Sequence, residues 1–112
     1  MVTVIINRDE DGRVLSFKAE GHAEAGEYGS DIVCAAISAI MQTAIQGMEG
    51  YMGLEGELDY MVNDDGWLSC DIPDDLKELE KTKAEAIIET MIIGLKSIEE
   101  QYSDNIRVEE VE

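Results

Sequence analysis

Basic side chains, cysteine and histidine are all scarce in this chain, and each scarcity closes off a class of protein. Only 8 lysines and arginines stand against 26 aspartates and glutamates, for a formal charge of −18. Nucleic acids and anionic lipids are held through lysine and arginine that displace counterions, so neither a nucleic acid nor a membrane is expected as a direct partner. Two cysteines and one histidine fall short of the ligands a structural zinc site needs, and they lack close pairing, so no metal is expected. Two cysteines also make no disulfide framework, which favours free thiols in a reducing cytoplasm. The first eight residues have neither the basic start nor the long apolar core of a secretory signal. The longest uncharged run, residues 32–48, is interrupted by Ser38, Gln42, Thr43 and Gln46 and is short for a membrane span. What is present is apolar: 45% of 112 residues, enough for one compact domain over residues 1–112.

Residues 3–7 are rich in β-branched side chains and predict a strand, and residues 14–20 alternate Leu15, Phe17 and Ala19 against polar neighbours, a half-buried strand. The turn between them ends in Gly12, and the hairpin ends at Gly21-His22. Residues 23–30 show no period. Asp31 then reads as the N-cap of a helix that places Val33, Ile37, Ile40, Ala44, Met48 and Tyr51 on one face. Its other faces are also apolar, so it needs a second layer or a partner subunit to cover it. Residues 57–62 and 67–72 predict a second hairpin, with Leu58, Tyr60, Val62, Leu68, Cys70 and Ile72 facing inward. Thr82 and Glu85 have capping-box spacing and open a second helix with Ala84, Ile88, Met91, Leu95, Ile98 and Tyr102 as its stripe. Ile106 and Val108 mark a last strand. The order is ββαββαβ, an α+β single domain of two apolar helices packed with mainly antiparallel hairpins, an α/β sandwich.

Two residues invite chemistry. Cys34 is expected in the first turn of its helix, where free N–H groups and the positive end of the dipole favour a thiolate and can hold an oxyanion. His22 lies twelve positions earlier, across a loop long enough to fold back on the sulfur. A thiol with a base in reach is the minimum for nucleophilic acyl transfer. The plain alternative is that Cys34 is a small hydrophobe in a core helix and His22 a turn residue. Cys70 alternates with Leu68 and Ile72 and reads as core. Asp31 has two compatible roles, helix cap or a third member that orients His22. Ser38 follows Cys34 by one turn and can bond near the sulfur or back to the helix. Gly21, Gly26 and Gly29 would allow tight turns and a moving flap, with Tyr28 as its aromatic contact.

The run Gly21-His22-Ala23, Gly26, Gly29, Asp31-Ile-Val-Cys34-Ala-Ala and Ser38 resembles the signature of the ribosomal-processing cysteine proteases (Prp, the YsxB-like family), and the likeness extends over essentially the whole chain. The resemblance implies a cytoplasmic endopeptidase without a cofactor, usually a homodimer. It would remove a short N-terminal extension from large-subunit ribosomal protein L-twenty-seven, with Cys34 as nucleophile and His22 as general base. Asp31, Ser38 and Gly21 would support the site, and residues 23–30, with Gly26, Tyr28 and Gly29, would gate the substrate. A basic ribosomal protein would give the acidic surface a use, since complementary charge steers encounter. The rival from another class is a non-catalytic dimeric module for ribosome assembly or binding, in which the apolar helix is only core.

Overall fold

One sheet, covered on one face by two helices, accounts for the whole core. The computed structural model describes residues 1–21, 28–63 and 67–112, with the side chains of residues 28–31 also outside the description. In chain order the elements are β1 (Val2–Arg8), β2 (Val14–Glu20), α1 (Tyr28–Gly50), β3 (Asp59–Val62), β4 (Leu68–Asp71), α2 (Glu78–Gln101) and β5 (Ile106–Val111). The sheet order is β3-β4-β2-β1-β5. All pairings are antiparallel except β1 with β5, which is parallel and therefore needs the long crossover that precedes β5. The ββαββαβ order and the α+β class expected from the sequence are both present. Both helices pack on this one sheet.

The alternation of the strands explains why. Val4 pairs with Ala19 and Ala19 with Leu68, while Ile6 pairs with Phe17 and Phe17 with Cys70. Opposed residues point to the same side, so these six form one apolar face. Val33, Ile37, Met41, Ala44, Ile45 and Met48 of α1 join it in one buried cluster, with Ala84, Ile88, Met91, Ile92 and Leu95 of α2. Residues 32–50 of α1 are long and apolar enough to cross a membrane, but its stripe is spent on this sheet. The helices approach each other through small residues: a Cβ built on Gly94 would sit 3.5 Å from Ile40, and one on Gly47 would sit 3.8 Å from Ile87. Gly47 thus serves as a contact point between the helices inside α1.

Several boundaries and facings differ from the sequence reading. Helix α1 begins at Tyr28, so Asp31 lies within it and is not its N-cap. No proline blocks residues 28–30, and one glycine costs a helix only about 1 kcal/mol. Helix α2 begins at Glu78, and its cap is the Lys77 N–H donating to Glu80 Oε1 at 3.0 Å. Thr82, expected at that cap, instead donates its hydroxyl to the Glu78 carbonyl from inside the helix. Leu15, Tyr51, Tyr60, Val62 and Tyr102 continue apolar patterns but are exposed, because the patterns run past the area that two helices can cover. The first turn matches its reading: Gly12 has φ +84°, and Asp9 accepts from the N–H groups of Asp11 and Arg13.

One charged cluster ties the far edge together. Arg8 of β1 reaches Glu89 of α2 and Glu110 of β5, each at 2.7 Å, and Lys96 of α2 also reaches Glu110 at 2.7 Å. The hydrogen bonds from Lys96 and then Arg8 outweigh burial and hold the Glu110 carboxyl below its usual range. A lowered carboxylate pKa stabilises the fold above the unfolded value and loses that contribution as pH falls through the folded one. Glu110→Gln should therefore cost about 1 kcal/mol at neutral pH, with the difference from the parent chain shrinking below about pH 4. Paired urea titrations across that range would check it.

Candidate active site

Cys34 and Ser38 sit one turn apart on α1, where its N-terminal half crosses the ends of β1, β2 and β4. Together with Gly21 they line a small cavity of about 70 Å³, walled otherwise by Asn63 and by apolar groups that include Val2, Met41, Val62, Trp67 and Leu68. Three of the residues singled out in the sequence are thus brought to one place. His22 and Gly26 lie outside the described residues, as do the side chains of Tyr28 and Asp31 and the surroundings of Gly29.

Cys34 is half-buried at this wall, and Cys70 is fully buried beneath the sheet's apolar face. The two thiols differ accordingly. Burial pushes the Cys70 thiol up to about 12, and the nearby negative charges of Asp71, Asp59 and Glu49 add to the rise. Cys70 is then a core residue, as its alternation indicated. The early start of α1 changes how Cys34 is served. Six residues precede Cys34 within the helix, so its N–H falls in the intrahelical ladder, and the helix-end field fades within the first turn. The expectation that Cys34 is a first-turn residue whose own amide can hold an oxyanion is corrected on that ground.

Ser38 accepts a hydrogen bond from Gln42 Nε2 at 2.6 Å, so its hydroxyl is oriented from one turn further along α1. Gln42 escaped the sequence reading, where it registered only as a polar interruption. So did Trp67. It follows the second hairpin's turn, its N–H donates to Asn63 Oδ1 at 3.2 Å, and Lys18 Nζ lies 5.7 Å from its ring centroid. Its signal was available: it is the only tryptophan, and it stands beside a turn rather than in an apolar stripe.

Gly21 is fixed twice over. Its φ is +99°, and a Cβ there would sit 2.5 Å from the Met1 carbonyl oxygen. No side chain fits, so the end of β2 must pass this close to the start of β1, directly before His22.

The cysteine protease Prp family model matches residues 1–107. The ribosomal processing cysteine protease Prp of Bacillus subtilis is 37% identical over 108 residues, covering 96% of each chain. Among solved structures, the essential ribosomal processing protease Prp from Staphylococcus aureus in complex with a substrate peptide superposes with a TM-score of 0.80 at 33% identity, covering 98% of this chain and 99% of that one. The same S. aureus protease with a covalently linked product peptide gives 0.78 at 34% identity and the same coverage.

Two outcomes are expected at this site. An alkylating probe at neutral pH should label Cys34 at least about tenfold faster than Cys70, and in Cys34→Ser the remaining thiol should label only slowly; peptide mapping of the labelled chain would measure both. Gly21→Ala should lower stability by about 1–3 kcal/mol through backbone strain and the clash with Met1, read from the urea midpoint.

Proposed function

This chain belongs to the cysteine protease Prp family and is a ribosomal-processing cysteine protease, and on that premise we propose that it removes the N-terminal extension of large-subunit ribosomal protein L-twenty-seven through a Cys34–His22 dyad. The observation that carries the dyad is the shared cavity. Gly21 and Cys34 line the same cavity, and His22 follows Gly21 directly in the sequence. That adjacency supports a base within reach of the sulfur.

In this reading His22 takes the proton from Cys34, and the sulfur attacks the scissile carbonyl. The amine then leaves with that proton, and water hydrolyses the resulting thioester. Ser38, held by Gln42, and Asp31 support the site, and residues 23–30, including Gly26, Tyr28 and Gly29, form the substrate gate. The charge of −18 suits a basic ribosomal protein as substrate and a cytoplasmic setting, with no direct hold on nucleic acid. A homodimer is supported by the apolar groove of about 680 Å³ between α1 and α2, walled by Ala39, Ile40, Gly47, Ile87 and Gly94. The alternative of a non-catalytic binding module falls with membership of a protease family.

Mass spectrometry of the L-twenty-seven precursor from the same genome tests the proposal. The unaltered chain should release one short N-terminal fragment, and Cys34→Ser and His22→Ala should each cut the rate by about a thousandfold or more while keeping the fold. A precursor left intact by the unaltered chain would refute the substrate, and near-normal cleavage by Cys34→Ser would refute the nucleophile.

A further inference from the structure

Among the described residues no strand pairs with the outer edge of β3. Hydrogen-bond alternation determines which of its backbone groups face outward. The Ile72 N–H donates to the Leu15 carbonyl at 2.9 Å, and Cys70 and Leu68 stand opposite Phe17 and Ala19. Ile72, Cys70 and Leu68 therefore bond toward β2. The Asn63 N–H donates to the Trp67 carbonyl at 3.0 Å, so Trp67, Ser69 and Asp71 bond the other way, toward β3. Their partners on β3 include Met61 and Asp59. The N–H and C=O groups of Tyr60 and Val62 consequently point away from the sheet.

Beyond Asp59 at its start, this strand carries no charged side chain and no proline. Tyr60, Met61 and Val62 are consecutive, apolar and 43%, 54% and 42% exposed, where soluble proteins usually place lysine, proline or a bulge. The edge also leads into the active site, because Val62 belongs to the wall of the Cys34 cavity. Its surroundings are acidic. Glu55, Glu57 and Asp59 are exposed beside it, and Glu49 accepts from the Tyr60 phenol at 3.4 Å. The negative charge of Glu49, with lesser help from burial and Glu55, raises the Tyr60 phenol above its ordinary pKa, the mark of a negative field along this strand.

We propose that β3 is the docking edge for the protein substrate: an extended, basic segment next to the scissile bond adds to the sheet as a strand, bonding to the backbone of Tyr60 and Val62 and leading its chain into the Cys34 cavity. This rests on the protease reading above. Strand addition draws its affinity from main-chain bonds, and the acidic flank selects for lysine and arginine in the incoming segment.

The test uses Cys34→Ser and a synthetic peptide spanning the extension junction of the L-twenty-seven precursor, with amide exchange followed residue by residue. The peptide should slow exchange at Tyr60 and Val62. In the otherwise unaltered chain, Tyr60→Pro removes one outward donor without touching the β4 ladder, whereas Tyr60→Val keeps it. Tyr60→Pro should raise KM about five- to tenfold over Tyr60→Val with kcat little changed, the loss expected for one backbone hydrogen bond. Should Tyr60→Pro fail to fold, N-methylation of single peptide amides gives the same comparison on the parent chain. Unchanged exchange at both residues on binding would overturn the proposal, as would protection that depends on protein concentration without peptide, which would mean that two copies pair edge to edge. Cleavage of the peptide by the unaltered chain is scored separately, so the docking edge can fail while the protease reading stands.

Discussion

The contact on which everything else depends is that between the apolar row of α1 and one face of the sheet. Val33, Ile37, Met41, Ala44, Ile45 and Met48 are all buried there, against strands whose paired residues present a single apolar side. At roughly 25 cal/mol per Å² of apolar surface buried, a row of this kind supplies a large share of the stability of so small a domain. It also sets the position of the chemistry. Cys34 follows Val33 by one residue and precedes Ile37 by three, so seating that row carries the sulfur to the edge of the buried face and leaves it half-open.

Two helices cannot cover five strands evenly. Their buried residues cluster with those of β4, β2, β1 and β5, while Tyr60 and Val62 of β3 stand on the apolar side but in solvent. The same shortfall exposes Leu15, whereas Tyr51 is exposed because it lies just past the end of α1. On the opposite flank the overhang is managed differently: β5 pairs in parallel with β1, and Arg8 and Lys96 clamp Glu110. One flank is thus cross-linked by charge to α2, while β3 on the other lies beside the cavity that Cys34 lines. A strand edge left open beside the Cys34 cavity is an arrangement suited to a protease.

The two cysteines show how context separates residues of the same type. Cys70 is wholly buried among apolar groups and next to carboxylates, both of which disfavour a thiolate. Cys34 instead lies half-buried at the cavity wall, six residues into α1 and so beyond its first turn. The proposal of His22 as its base therefore draws no support from the helix end.

Much of the architecture was legible beforehand, because alternation and helical spacing are local signals: the seven elements, the core side of β2 and β4, the core role of Cys70 and the turn at Gly12 all follow from neighbours within a few residues. The signature around His22 and Cys34 was legible for another reason, since chemistry demands particular side chains at particular spacings. What only the tertiary structure decided depends on residues far apart in sequence. Periodicity marks a side chain as apolar but does not say where the covering layer stops, so the exposure of Tyr60, Val62 and Tyr51 could not be read from their pattern. Helix starts at Tyr28 and Glu78 depend on caps that compete locally, and Asp31 and Thr82 were plausible but losing candidates. The company of Cys34 is likewise a product of folding: Val2, Gly21, Trp67 and Leu68 come to it from three separate strand ends, and no spacing in the chain encodes their meeting.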